Sequence, residues 1–389
     1  MKGIQVIMIC PSWGRKCGIA EYSKALVDEL TAMGANVSVL PGNIWETSLS
    51  PGVARGAVTH FQFEYALYNP WTLSPVVRKL AAVGARFVFT VHDFHPAPSE
   101  HNMLLRGMPC YMIVHSEKTR EALLSLGIPL SRISVIPMGA RDYDPGDRRA
   151  TRVKLGLQEH DKVVGFFGFA LAQKGIVQLA EATKLLQGSY PGLKLFLFST
   201  SPFFDEFAGV YLRSALAERR LLANVVIVDE YLPVDQVVKY LHAMDVIALP
   251  YGDSGFIGTS AAARVAMAAR RPIITTDIPY FSDLKDEVFK IASQDPAEIA
   301  RAVERVMQDS ELVQRLIAAC ERYLRVNSWH AVAVKHMDLY RRISCSVPRS
   351  SESNSYQNVP ANGRDIAPGV PEWAWQRVIE RFGKAGVKK

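Results

Sequence analysis

Four short stretches of the chain combine residue types that bind anions or move protons. Residues 11–19 read Pro-Ser-Trp-Gly-Arg-Lys-Cys-Gly-Ile. Glycines and two cations at the start of a helical pattern suit an anion held by exposed backbone N–H groups, with Gly18 at the entrance. The spacing is not the G-x-G-x-x-G of dinucleotide sites, and a tight loop with no ligand is the alternative. His92-Asp93-Phe94-His95 sets an imidazole beside a carboxylate, the material of proton transfer and of hydroxyl recognition. The alternative for His92 is a ring that orders its loop by bonding a backbone carbonyl, and His60 reads equally as structure or as function. Lys174, just before Gly175 and a helix, would suit a diphosphate, although lysines at helix starts commonly face solvent. Residues 250–260, Pro-Tyr-Gly-Asp-Ser-Gly-Phe-Ile-Gly-Thr-Ser, run into an alanine-rich helix. There Gly258 permits close backbone approach, Thr259 and Ser260 offer hydroxyls, and the helix dipole aims its positive end at the loop, which makes a phosphate cradle. Close helix packing explains the alanines at 261–263 but not the Gly-Thr-Ser before them.

These residues act together only if the fold brings them to one edge, and the hydropathy pattern says how. Short apolar runs at 5–10, 36–40, 58–61, 86–91, 111–114 and 133–136 alternate with helical patterns such as Ile19, Tyr22, Leu26, Leu30 and Met33. That alternation is the signature of βα units on a parallel sheet. A second series follows at 163–167, 193–199, 225–228, 246–249 and 272–275, with helices from about 175, 207, 234, 259 and 296. In open parallel sheets ligands bind beyond the carboxyl ends of the strands, and each of the four stretches directly follows a strand.

The reading is therefore an α/β chain of two doubly wound, Rossmann-like domains facing a central cleft. The first domain spans 1–140, a polar interdomain linker 141–160, and the second domain 161–327. A helix over 328–343 follows, then a Ser-, Asn-, Pro- and Gly-rich disordered linker over 344–371, and a basic amphipathic tail helix over 372–389. With 389 residues, 49% apolar and 21% charged, the chain excludes wholesale disorder, collagen and a disulfide scaffold. The net charge of +7 favours anionic partners, but the basic residues are scattered, which argues against nucleic acid. Five cysteines without paired spacing read as reduced and cytoplasmic. The apolar start is too short to span a membrane and lacks a cleavage-site pattern.

Several motifs, in order, carry a family resemblance. They are Cys17-Gly18-Ile19-Ala20-Glu21-Tyr22-Ser23, Thr90-Val91-His92-Asp93, Val135-Ile136-Pro137-Met138-Gly139 and Lys174-Gly175, then Ala266-Met267-Ala268 followed by Arg271-Pro272-Ile273-Ile274-Thr275, and finally Ser328-Trp329 with Tyr340. On these, residues 1–343 resemble the retaining glycosyltransferases of the GT-B fold, family 4 (glycosyl transferases group 1). The resemblance implies that the second domain binds a nucleotide-sugar donor, the first binds a glycan or lipid-linked sugar acceptor, and the 328–343 helix returns to the first domain. It implies His92 at the sugar as the catalytic residue, Lys174 on the diphosphate, and Gly258, Thr259 and Ser260 under the phosphates. It implies transfer of a hexose from a UDP- or GDP-sugar with retention, in the cytoplasm, with no cofactor and no metal, and no Asp-x-Asp motif stands at a strand end.

Two departures from the family pattern stand out. Its two glutamates eight positions apart are Ile257 and Val265 here, and an arginine expected five residues before Lys174 is Phe169. Asp253 is the nearest carboxylate that could substitute, and Arg264 the nearest cation. The losses leave open a catalytically weak sugar-nucleotide-binding or scaffolding protein, and the fold also suits a sugar-nucleotide epimerase. In the tail, Trp375, Val378, Ile379 and Phe382 share a helical face near Lys384, Lys388 and Lys389. That face suits either peripheral contact with the inner face of the plasma membrane or docking on protein.

Overall fold

The computed structural model describes residues 4–43 and 48–345. The expected linker beyond Cys345 and the tail helix at 372–389 lie outside the described residues. Two six-stranded sheets, all parallel, form the two domains. The first contains β1 (Gln5–Cys10), β2 (Asn36–Pro41), β3 (Val58–Phe63), β4 (Arg86–Val91), β6 (Tyr111–Val114) and β7 (Ile133–Val135), in the order β2-β1-β3-β4-β6-β7. The second contains β8 (Val163–Phe167), β9 (Lys194–Phe198), β10 (Val225–Val228), β11 (Val246–Leu249), β13 (Ile273–Thr276) and β14 (Phe289–Ile291), in the order β10-β9-β8-β11-β13-β14. Strand order reverses between β1 and β3 in the first sheet and between β8 and β11 in the second, and ligands bind at such switch points.

Both sheets are covered by helices on both faces, which is why central strands such as β3 are buried at every position rather than at alternate ones. Helix starts follow local capping chemistry. Ser116 accepts from Thr119 N at the head of Glu117–Ser125, and Asp295 accepts from Ala297 N and Glu298 N at the head of Pro296–Gln308. The helix Pro70–Ala81 begins where it does because Asn69 caps it and Pro70 fits the first turn. The expected linker 141–160 contains the helix Arg148–Lys154, capped by Asp147. Its Arg152 is buried against the second domain, donating to the carbonyls of Ala243, Gln158 and Asp161 at 2.8, 2.8 and 2.6 Å. Three carbonyl acceptors and the Asp245 carboxylate, 3.8 Å away, explain why a charged residue is tolerated there although its Nε is left without a partner.

Trp329–Cys345 is the helix that returns to the first domain. Its Val332, Ala333, Met337 and Tyr340 join Val6, Met8, Tyr22 and Leu26 in one core layer. Ala140 bridges to Ser328 at this crossing, and a Cβ on Gly139 would lie 2.6 Å from the Trp329 ring. The glycine of the Pro-Met-Gly sequence is thus required by the tryptophan that follows the second domain. No described helix is long and apolar enough to cross a membrane.

Candidate active site

Two more strands, two residues each, join the domains. β5 (Asp93–Phe94) pairs antiparallel with β12 (Ile257–Gly258), placing Gly258 opposite Asp93 and Ile257 opposite Phe94. Ile257, 8% exposed, belongs to the first domain's core although the second domain supplies it. The position where the resemblance expects a glutamate therefore holds an apolar anchor that clamps the cleft. Gly258 has no room for a side chain, since a Cβ would stand 2.1 Å from Asp93 Oδ1 and 3.2 Å from the His92 carbonyl oxygen.

Lys174 is delivered to the same place from the switch point of the second sheet. It ends a short 3-10 turn after β8, and Gly175 then adopts φ 68° to start the helix Ile176–Leu185, which no side chain caps. A Cβ on Gly175 would lie 2.0 Å from the Pro250 carbonyl oxygen, so glycine locks this turn against the exit of β11. The Lys174 ammonium sits 3.8 Å from the ring centre of Tyr251 and 5.4 Å from that of Tyr280. Aromatic faces hold it rather than a salt bridge, and none of the described residues pairs with it as an ion pair.

Across the cleft, both Asp93 oxygens accept from the Tyr280 hydroxyl, at 2.8 and 2.9 Å. Burial pushes the Asp93 carboxyl up to about 6, against the opposing pull of Tyr280 and the Lys174 charge. Glu64, the first residue past β3, lies beside it. Burial and then the Asp93 charge push the Glu64 carboxyl up to about 8, and its Oε2 accepts from Ala66 N at 2.8 Å. Sequence reasoning passed over Glu64 because it ended β3 at Phe61 and stopped at His60. Carrying the buried run on to Phe63 would have put Glu64 at the edge next to His92.

The other candidates divide. His92 is 6% exposed; its Nε2 lies 2.9 Å from Gln62 Oε1, and its ring meets Tyr22 edge-on at 4.8 Å. Gly18 approaches the second domain, where its Cβ would lie 3.7 Å from Ala261 Cβ at the start of the helix Ala261–Ala268. Ser260 is that helix's cap, its hydroxyl accepting from Ala263 N at 3.3 Å, and the Thr259 hydroxyl lies 3.9 Å from Met138 Sδ. Asp253 is exposed and its Oδ1 closes a local turn by accepting from Gly255 N at 2.9 Å. Arg264 is 3% exposed and bound to Asp283, the Tyr323 hydroxyl and the Ser260 carbonyl, a structural tie in which its donors are taken. His60 lies inside β3, with Nδ1 2.7 Å from the Tyr340 hydroxyl and Nε2 2.7 Å from Thr90 Oγ1, so its role is structural.

His60, His92, His115 and His336 together form a buried histidine layer under the site, and burial lowers the pKa of each, to about 4 for His115 and His336. A histidine whose folded pKa is depressed contributes stability above its unfolded pKa that is lost as pH falls. Asp93 and Glu64 act the other way: their stability is present at low pH and lost as pH rises through about 6 and 8. Between about pH 7 and pH 5.5 the four histidines held neutral by burial outnumber the two raised carboxyl groups, so the unfolded chain takes up more protons and stability falls as pH drops. The urea midpoint is therefore expected to drop steeply from pH 7 to pH 5.5. A midpoint constant over that interval would contradict the buried neutral layer.

Comparison with known proteins places this geometry. Residues 147–322 match the family Glycosyl transferases group 1, so the second domain carries a glycosyl transferases group 1 domain. The D-inositol 3-phosphate glycosyltransferase of Corynebacterium urealyticum is 26% identical over 240 residues, which are 59% of this chain and 55% of that protein. The chain spans about half the length of such curated relatives. Among solved structures, Anabaena HepE in complex with UDP and glucose superposes with a TM-score of 0.69 at 14% identity, covering 88% of this chain and all of that one. Sucrose-phosphate synthase from Thermosynechococcus elongatus gives 0.68 at 18% identity, covering 87% and 99%. The fold is GT-B, with two Rossmann-like domains.

Proposed function

We propose that this chain, carrying a glycosyl transferases group 1 domain on a GT-B fold, is a glycosyltransferase that moves a hexose from a UDP- or GDP-sugar to a glycan or lipid-linked acceptor with retention. The observation that carries the reading is Lys174. It is a cation without a salt-bridge partner among the described residues, fixed on two aromatic rings at the switch point of the second sheet, beside an uncapped helix N-terminus. Departure of a nucleoside diphosphate leaves negative charge that such a lysine and helix terminus stabilise, while the sugar passes through an oxocarbenium-like state. In this reading His92 orders the sugar side of the cleft, and Gly18, Gly258, Thr259 and Ser260 form its floor where the two domains meet. The acceptor enters from the first domain, on the cytoplasmic side. The odd number and unpaired spacing of the cysteines in the sequence support that location.

The reaction needs no divalent metal in this reading, because Lys174 and the helix terminus supply the positive charge. The test is a panel of UDP- and GDP-sugars without acceptor, read by released nucleotide, with and without excess EDTA. Slow hydrolysis of one or two donors that persists in EDTA is the expected result. Release of no nucleotide from any donor would favour a binding or scaffolding role, and strict dependence on added manganese or magnesium would overturn the metal-free mechanism.

A further inference from the structure

The second domain has given up the carboxylate at position 257 for an apolar anchor, yet the same point of the cleft is not without one. Asp93 faces Gly258, the residue next to Ile257, from the opposite domain. It is tied to Tyr280, which shares the Lys174 ammonium with Tyr251. Glu64, at the switch point of the first sheet, stands beside it. Asp253, the second domain's own candidate, is spent on a surface turn. We propose that Asp93, with Glu64 beside it, is the carboxylate that binds the hydroxyl groups of the transferred sugar and sets which sugar is accepted, so that sugar recognition has moved from the second domain to the first.

This inference rests on the glycosyltransferase reading and names the part of the site that reads the sugar. The chemistry fits. A carboxylate oxygen accepts from a sugar hydroxyl, and in a site shielded from water such a charge-assisted bond discriminates strongly between a hydroxyl placed correctly and its epimer. Burial pushes both carboxyl groups up, Glu64 further than Asp93, so Glu64 is the more readily protonated of the two and Asp93 the better acceptor. Tyr280 and the backbone N–H of Ala66 hold the two carboxyl groups in place. The β5–β12 ladder holds Asp93 on the side of the cleft where Tyr280 and Lys174 stand.

The experiment compares wild type with Asp93→Asn and Glu64→Gln, both isosteric. It measures kcat/KM for hydrolysis of the preferred nucleotide sugar and of its 4-epimer, and the calorimetric affinity for the bare nucleoside diphosphate. Asp93→Asn is expected to lower kcat/KM for the preferred donor about 10- to 100-fold and to collapse the preference over the epimer. Affinity for the nucleoside diphosphate should change by less than about threefold, since Lys174 is untouched. Glu64→Gln should move the same epimer ratio in the same direction, which keeps the test open if Asp93→Asn fails to fold. An unchanged epimer ratio in both variants would overturn the inference while leaving the glycosyltransferase reading intact. A wild-type protein that binds and hydrolyses no nucleotide sugar would overturn both.

Discussion

Lys174→Ala is expected to lower kcat/KM for the donor by about 100- to 1,000-fold, the range for removing one preorganised donor to a developing anion. The ammonium is already in place, held over Tyr251 and Tyr280, so no reorganisation accompanies the growth of negative charge on the departing diphosphate. Part of the loss belongs to ground-state binding. A charge-assisted bond to phosphate contributes about 1.5–3 kcal/mol, so the nucleoside diphosphate should bind about 10- to 150-fold more weakly. Arginine should rescue only in part, because a planar guanidinium has a different reach and would have to stack on rings that now surround a compact ammonium. With Phe169 where the resemblance expects a second cation, Lys174 is the one Lys or Arg between Val163 and Thr183, and the helix N-terminus alone is left to offset the lost charge. Calorimetry showing parental affinity for the nucleoside diphosphate in Lys174→Ala would remove Lys174 from the phosphate site.

The contrast between Lys174 and Arg264 shows what residue type and spacing can and cannot reveal. Both are cations near a helix start in the second domain. Lys174 is legible because the Gly175 turn and the end of β8 together fix it at a strand edge, and both are local signals. Arg264 is taken up by Asp283 and Tyr323, partners 19 and 59 residues distant, which no local pattern announces. The same holds for the sheets. Their central strands are buried runs and could be read directly, as could the helix after the second domain, whose return to the first domain came from the family resemblance. The three-residue β14 and the two-residue strands β5 and β12 could not, because their existence depends on a neighbour far along the chain. The cleft is closed by the least legible elements of the fold. Asp253 is the nearest carboxylate in sequence, whereas the carboxylate that lies opposite Gly258 in space is Asp93.

Gly258→Ala should cost activity about 100-fold while both domains stay folded. The added methyl would stand 2.1 Å from Asp93 Oδ1 and 3.2 Å from the His92 carbonyl, so the carboxylate or the strand must move. Asp93 is short and tied through both oxygens to Tyr280, and β5 is fixed by its ladder to β12, leaving little freedom on either side. The cheapest response is separation of β5 from β12, which withdraws Ile257 from the first domain's core and opens the cleft. A shift on the order of 1 Å in such a site is enough for a hundredfold loss. The two sheets have their own cores, so thermal stability should fall only modestly, whereas the radius of gyration in solution should rise. A double variant separates the two effects. In Gly258→Ala with Asp93→Ala the methyl has space, so the compact radius should return, and the coupling between the sites should exceed the additive expectation. Activity should not return with it, because the carboxylate that grips the sugar is gone. Restored compactness together with restored turnover would mean that Asp93 matters only as an obstacle, and that the sugar is read elsewhere.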